Sequence, residues 1–383
     1  MVNKIPPVVV IANDSVPGSS LPTAAPGLRA FGIAEGLRSH GLDVEILVDR
    51  GPQKRIWKDD IPVPTQPGTV SLPPSKFMTF LVSRAPVTVI ITNSNQVDHL
   101  QPSTGVKYVL DFFAPKMLEL AYQHGDQYPT EGLTKLRERK LRAIELADAF
   151  IVNGKKKVPY FLAWLLQTQR DIRRVPLEVV NMPMPNHFRD TEAHDKIRFG
   201  MAGYLQGWSK PAAWLETVLQ YVDRGEATLD VLIPEHWGQA NADLESDQLR
   251  TLLQTEGVTQ HGIMTFSEYQ AFVSQMDVIL DVFDHTRERE YAMVTRTVSA
   301  IACGRPVVHP GFTEVSPLIS QHDAGWLVDP REPDGIKNTF DAIVANRSEI
   351  DEKAQNARRM WNQTFNPTQA TRPLVRLLTS LWQ

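Results

Sequence analysis

Two doubly wound α/β domains are what this sequence predicts, and three observations predict them. Short Val/Ile/Leu runs bounded by turn residues recur through both halves, stretches of helical periodicity separate them, and a segment without periodicity, Asn181 to Asp195, falls near the midpoint. Continuous apolar runs set between helices belong to parallel strands covered on both faces. Their regular alternation with helices gives a layered α/β architecture, and 383 residues suffice for two domains that each bury a core.

In the first half the runs place strands at Val8 to Ala12, Val44 to Val48, Val87 to Thr92, Tyr108 to Asp111, Ala149 to Val152 and Leu177 to Val180. The second half repeats them at Arg198 to Ala202, Leu229 to Ile233, Val278 to Val282, Pro306 to His309 and Trp326 to Val328. Gly51 to Ser75 carries six prolines and reads as a long loop. Pro183 and Pro185 mark the linker. Ala370 to Trp382 is apolar at helical spacing through Leu374, Leu377, Leu378 and Leu381, and so is expected to pack on a domain.

Composition narrows the class. Hydrophobic residues make up 42% and charged residues 22%, ordinary values for a soluble enzyme. No apolar run reaches the roughly 18 residues of a membrane span, and the N-terminus lacks the regions of a signal peptide. A cytoplasmic protein is expected, with the inner face of the membrane as an alternative location. The single cysteine, Cys303, excludes an internal disulfide and a cysteine-based zinc site, and its apolar setting reads as a buried small hydrophobe. Residues 1 to 188 hold 22 Lys+Arg and 17 Asp+Glu, and the remainder 18 and 27, giving +5 and −9. Neither half is basic enough for nucleic-acid binding. The mildly basic first half suits an anionic acceptor or membrane surface, a neutral surface effect being the plainer explanation.

The richest stretch is Tyr291 to Gly311. A helical run from Tyr291 to Cys303 ends at Gly304, Pro306 forbids its continuation, and Val307 and Val308 begin a buried strand. His285, Glu288 and Glu290 stand in a charged cluster just before it. Such an ionisable entry to a helix is where an α/β protein meets an anionic ligand. A second candidate edge follows the first strand. There Gly27 lets backbone approach a ligand and Arg29 lies in the first helical turn, unless Pro26 and Gly27 only start the helix.

These residues carry a resemblance. Pro26 to Arg29, Ile33 to Leu37 and Gly41 to Val44 resemble the opening of retaining GT-B glycosyltransferases of glycosyltransferase family 4. Later segments agree in order: Gly203 with Lys210, His261-Gly262 before Ser267 to Tyr269, Ala302 to Val308, Gly311 to Glu314, and Gly325 to Asp329. The resemblance implies a GT-B fold of two Rossmann-like domains facing across a cleft. Residues 1 to 185 would form the acceptor side, with a final helix, 366 to 383, crossing back, and residues 190 to 365 would bind the nucleotide-sugar. It implies transfer of a sugar from a nucleoside diphosphate-sugar to a hydroxyl acceptor, be it glycan, lipid-linked or small molecule. Stereochemistry would be retained, and no cofactor or metal is expected.

Without metal, the leaving diphosphate must be neutralised by Lys, Arg and helix N-termini. Lys210 and Arg296 are the candidates, unless either is a solvated surface cation, with Gly203 giving the backbone room and Thr297 as a further donor-binding candidate. The family's paired glutamates, eight apart, fall here on Tyr291 and Ser299, and neither is acidic. Glu288 or Glu290 is a candidate replacement, or else part of a solvated turn. Asp111 and His124 are the candidate catalytic groups, His285 a phosphate or proton-transfer group, and Asn93 a cleft residue, with capping the plainer reading of Asn93 and Asp111. The missing carboxylates equally fit a second function, an inactive GT-B scaffold that partners an active transferase. The basic run from Lys135 to Arg142, with Lys155 to Lys157, is a candidate contact for lipid headgroups or a merely soluble helix face.

Overall fold

A computed structural model describes residues 5–53, 67–123, 128–190, 194–203, 214–232 and 254–383. The chain divides into two compact units, one of residues 1–121, 129–185 and 364–383, the other of 122–128 and 186–363. His124 and Lys210 lie outside the described residues.

The first unit is a parallel sheet of β1 (Val8–Ala12), β2 (Val44–Asp49), β3 (Thr69–Leu72), β4 (Val87–Ile91), β5 (Val106–Asp111), β6 (Ala149–Val152) and β7 (Leu177–Val179), in the order 3-2-1-4-5-6-7. Its central strands are buried throughout because both faces are covered. On one face Val9, Ile11, Val89 and Leu110 pack with Phe150, Phe161 and Trp164. On the other, Val8, Val10, Ile46 and Val109 pack against Ala30, Ile33 and Leu37 of the Ala25–Ser39 helix and Leu374, Leu377 and Leu378 of the Pro367–Leu381 helix. These two helices come very close at Gly36, where a Cβ would lie 2.4 Å from Thr371 Cγ2 and 2.5 Å from the Pro367 carbonyl. The C-terminal apolar stripe thus finds its partner within this unit.

The second unit is a parallel sheet of β8 (Ile197–Ala202), β9 (Ala227–Leu232), β10 (Val258–His261), β11 (Val278–Leu280), β12 (Val307–Pro310) and β13 (Gly325–Val328), in the order β10-β9-β8-β11-β12-β13. This is the doubly wound order of a dinucleotide-binding fold, in which the chain reverses direction between the first and fourth strands. β8 pairs in parallel with both β9 and β11, so the reversal falls between β8 and β11. Phe199, Tyr221 and Phe340 anchor the core of one face.

Three elements differ from the sequence reading. The helix expected from Tyr291 starts at Thr295 and ends at Ala302. Before it, Arg287–Glu290 forms its own turn, capped by Thr286 Oγ1 accepting from the Arg289 amide at 3.2 Å, and the Ala292 carbonyl is taken by the Glu314 amide at 3.2 Å. That tertiary bond holds residues 291–294 out of the helix. At the other end Gly304 has φ +71, its amide donates to Ile301 at 3.0 Å and the Arg305 amide to Ala300 at 2.9 Å, the Schellman closure expected of a C-terminal glycine. The second difference is β3, inside the predicted loop, and the third is β10. Both are edge strands, bonded to one neighbour each and only partly buried, so neither needs a continuous apolar run.

Candidate functional site

In an open α/β sheet, ligands lie beyond the carboxyl ends of the strands, where the strand order reverses. In the second unit that place is bounded by Gly203, directly after β8, and Asp281, directly after β11. The helix Thr295–Ala302 begins here. Its N-cap is Val294, which supplies no side-chain cap, and its first turn holds no acidic residue. The first amides of a helix have no partner within it, and together with the helix dipole they favour an anion.

Arg296 and Thr297 in this first turn are both fixed by Asp281. Arg296 Nη2 lies 2.9 Å from Asp281 Oδ1, and Thr297 Oγ1 donates to Oδ2 at 2.6 Å. Gly203, at φ +123, sits under the arginine: a Cβ there would be 2.1 Å from Arg296 Cδ. Gly203, Arg296 and Thr297, named from sequence, are therefore brought together, with Asp281 as the group that holds them. Asp281 was missed because a single aspartate after an apolar run carries no motif. Behind it lies His309, wholly buried, its Nδ1 3.1 Å from Thr297 Oγ1 and its ring edge-on to Phe283. Burial pulls its pKa down to about 4, so the imidazole is neutral.

The charged cluster before the helix splits into two pairs. Glu288 is buried and bonded to Arg289, whose Nη2 lies 2.7 Å from Oε1. Glu290 is partly exposed and holds His285 Nε2 at 2.8 Å, the His285 ring standing edge-on to Phe312. At the two positions where the family has glutamates, Tyr291 ends the Arg287–Glu290 turn, and Ser299 is buried with its hydroxyl bonded to the Tyr269 phenol. Cys303 is buried, and burial pushes its thiol up to about 12, which leaves no thiolate to act as nucleophile.

The first-unit candidates behave differently. Arg29 and Asp111 face each other with both side chains 0% exposed: Nε to Oδ2 is 2.8 Å and Nη2 to Oδ1 3.2 Å. Arg29 Nη1 also donates to the carbonyls of Val180 and Asn181, at 2.8 and 2.7 Å. Sequence reading placed Asp111 among catalytic groups and Arg29 at a cleft, but enclosed side chains with their bonds taken up reach no ligand. At Gly27 the glycine admits the backbone of the preceding loop, since a Cβ would meet the Ser15 carbonyl at 1.9 Å. Asn93 Oδ1 accepts from the Asn95 amide at 2.9 Å, capping the Ser94–His99 turn.

A group not foreseen in this unit is Asp14, after β1. It accepts from the Ser15 and Ala24 amides, at 2.7 and 3.1 Å, and so clasps both ends of the intervening loop. Burial raises its pKa to about 7. The basic helix Thr130–Leu146 is largely compensated within the unit: Arg139 and Arg142 pair with Asp98, Lys135 with Glu131, and Lys140 is buried beneath Phe112. Among the described residues no helix is long and apolar enough to cross a membrane, and no group of three or more His, Cys, Asp and Glu is placed to hold a metal ion.

No family model matches this chain, and no curated protein matches it either. Solved structures do match along nearly its whole length. A sucrose-phosphate synthase from Thermosynechococcus elongatus aligns with TM-score 0.70 at 13% identity, covering 98% of this chain and 99% of that one. The Anabaena protein HepE, solved with UDP and glucose, aligns with TM-score 0.67 at 14% identity, covering 98% and 99%. An alpha-glucosyltransferase solved with UDP-glucose and DNA aligns with TM-score 0.66 at 9% identity, covering 97% and 99%. At such identities the likeness shows the fold alone, two Rossmann-like units consistent with a GT-B fold.

Proposed function

We propose that this protein is a glycosyltransferase that binds a nucleoside diphosphate-sugar in the second unit and transfers its sugar to a hydroxyl acceptor, a glycan, a lipid-linked sugar or a small molecule. The observation that carries this reading is Arg296, set at an uncapped helix N-terminus, fixed by Asp281 at 2.9 Å and lying over a glycine at the strand-order reversal. A guanidinium and helix amides converging on one place are what a departing diphosphate requires, because negative charge grows on it as the glycosidic bond breaks. Neighbours of the same fold were solved with UDP, UDP-glucose or UDP and glucose, which supports a nucleotide-sugar ligand here.

The mechanism proposed is retaining and metal-independent. The leaving phosphate takes the acceptor proton, so no protein nucleophile is needed, which suits a chain whose single cysteine is buried and protonated. The half-exposed His285–Glu290 pair is assigned to the sugar side of the donor. Lys210 is proposed as a second phosphate contact and His124 as an acceptor-side group. With Lys135, Arg139 and Arg142 of its basic helix already paired, the first unit is assigned an acceptor role without reliance on membrane contact.

A second reading, an inactive scaffold for an active transferase, is favoured by one observation: Tyr291 and Ser299 supply no carboxylate, and the Ser299 hydroxyl is engaged by Tyr269. Incubation with UDP-, GDP-, ADP- and dTDP-glucose in EDTA, followed by NMR of the released sugar or glycoside, separates the two. Nucleotide release with the anomeric configuration kept supports the transferase. Binding without any turnover across an acceptor panel favours the scaffold.

A further inference from the structure

The donor reading leaves one buried polar chain of the second unit without a role. It runs from Asp281 Oδ2 to Thr297 Oγ1 (2.6 Å), to His309 Nδ1 (3.1 Å), and from His309 Nε2 to Thr313 Oγ1 (2.8 Å). From there it passes to Ser316 Oγ (2.8 Å) and ends at the Pro310 carbonyl (2.7 Å). Each of these side chains is buried, and Thr297, His309 and Thr313 are fully so.

Counting hydrogens shows an imbalance. An ionised carboxylate and a carbonyl can only accept, so both ends of the chain are acceptors. Between them lie five links, to which the three hydroxyls bring three hydrogens and a neutral imidazole a fourth. The ring also bonds the backbone of Asp281. With a single ring hydrogen, whichever nitrogen carries it, four hydrogens cannot direct five links. The imidazolium supplies the fifth hydrogen and directs the five links of the chain: Nδ1–H toward Thr297, Thr297 toward Asp281, Nε2–H toward Thr313, Thr313 toward Ser316 and Ser316 toward Pro310.

What keeps the second proton off is the surroundings. Burial disfavours the cation, and Arg296 from the helix and Arg289 from the preceding turn repel it, while Asp281 attracts it. Glu288, buried and bonded to Arg289, offsets part of that second repulsion, and Phe283, Thr313 and Ser316, which touch the ring or continue the chain, are uncharged. A diphosphate held by Arg296 would offset the larger of the two repulsions and place negative charge beside it, so the balance shifts toward protonation.

We propose that His309 is a positioning residue that takes up a proton when a diphosphate binds at Arg296, completing the chain that holds Asp281 and making donor binding tighter as pH falls. The proposal rests on the assignment of Arg296 as a diphosphate contact. It is tested by calorimetric titration of the full chain with UDP-, GDP-, ADP- and dTDP-glucose, whose phosphates carry no proton that titrates near neutrality. Measurements at about pH 6 use two buffers of different ionisation enthalpy, since proton uptake appears as a buffer-dependent heat.

The expected result is uptake by the wild-type protein, with Kd several-fold lower at about pH 5.5 than at about pH 7.5. Uptake should vanish in His309→Gln and in Thr297→Val. Equal heats in both buffers for the wild-type protein overturn the proton linkage while leaving the donor site intact, and so does a buffer difference that survives in His309→Gln. Failure of all four sugar nucleotides to bind overturns the donor reading itself, and the linkage with it.

Discussion

Replacing Gly203 by alanine probes the donor site without removing a charged group. The new Cβ would stand 2.1 Å from Arg296 Cδ, 3.0 Å from Cγ and 3.1 Å from Nη1. A flexible arginine could swing aside, but this one is tied to Asp281 at 2.9 Å, so movement breaks the pair or displaces both partners. Gly203 also has φ +123, a conformation costly for any L side chain, by about 1–3 kcal/mol. Displacing Arg296 removes a charge-assisted hydrogen bond to bound diphosphate worth about 1.5–3 kcal/mol. That corresponds to roughly a ten- to hundredfold rise in Kd. Calorimetry with the nucleotide that binds wild type, beside a thermal melt, reads both effects. If the substitution acts through Arg296, Gly203→Ala adds little further loss of affinity on an Arg296→Ala background. Unchanged affinity in a folded Gly203→Ala protein, or full additivity in the double variant, would refute the coupling.

Two further perturbations test the framework. Arg29→Met strands the Asp111 carboxylate in a closed interior and should cost about 3–5 kcal/mol in urea unfolding, much of it regained in Arg29→Met with Asp111→Leu; a loss confined to catalysis would show that the pair reaches substrate after all. His309 makes the second unit acid-sensitive: the unfolded imidazole binds its proton near the ordinary 6.5, the folded one only near 4, so between these values the unfolded chain holds more protons. This contribution to stability is complete above about pH 6.5 and declines by up to about 3 kcal/mol as pH falls to about 4. His309→Gln should flatten that part of the pH–stability curve, and an unchanged curve would count against a buried neutral imidazole.

The fold was legible where burial is complete. Central strands such as Val8–Ala12 and Ala149–Val152 need apolar residues on both faces and so appear as unbroken runs. Edge strands escape this signal: Thr69–Leu72 lay inside a proline-rich stretch, and Val258–His261 is largely polar. The start of the 295–302 helix was illegible because a tertiary bond from Glu314 to Ala292 interrupts a run whose local composition allows helix. Of the candidates named from sequence, Arg296, Thr297 and Gly203 lie together because Gly203 follows a strand end and the other two open the helix beside it. Asp281 and His309 could not be read from sequence, since their significance comes only from the side chains that face them. Arg29 and Asp111 show the converse. Polar residues at strand and helix ends suggest a ligand, yet these two satisfy each other across 82 positions of sequence.

The most direct test of the central claim is a calorimetric titration of the wild-type and Arg296→Ala proteins with UDP, GDP, ADP and dTDP. The account predicts saturable binding of at least one nucleotide to wild type, weakened by roughly a hundredfold in Arg296→Ala with the fold intact. Equal affinity in the two proteins, or no binding of any nucleotide to wild type, would contradict it.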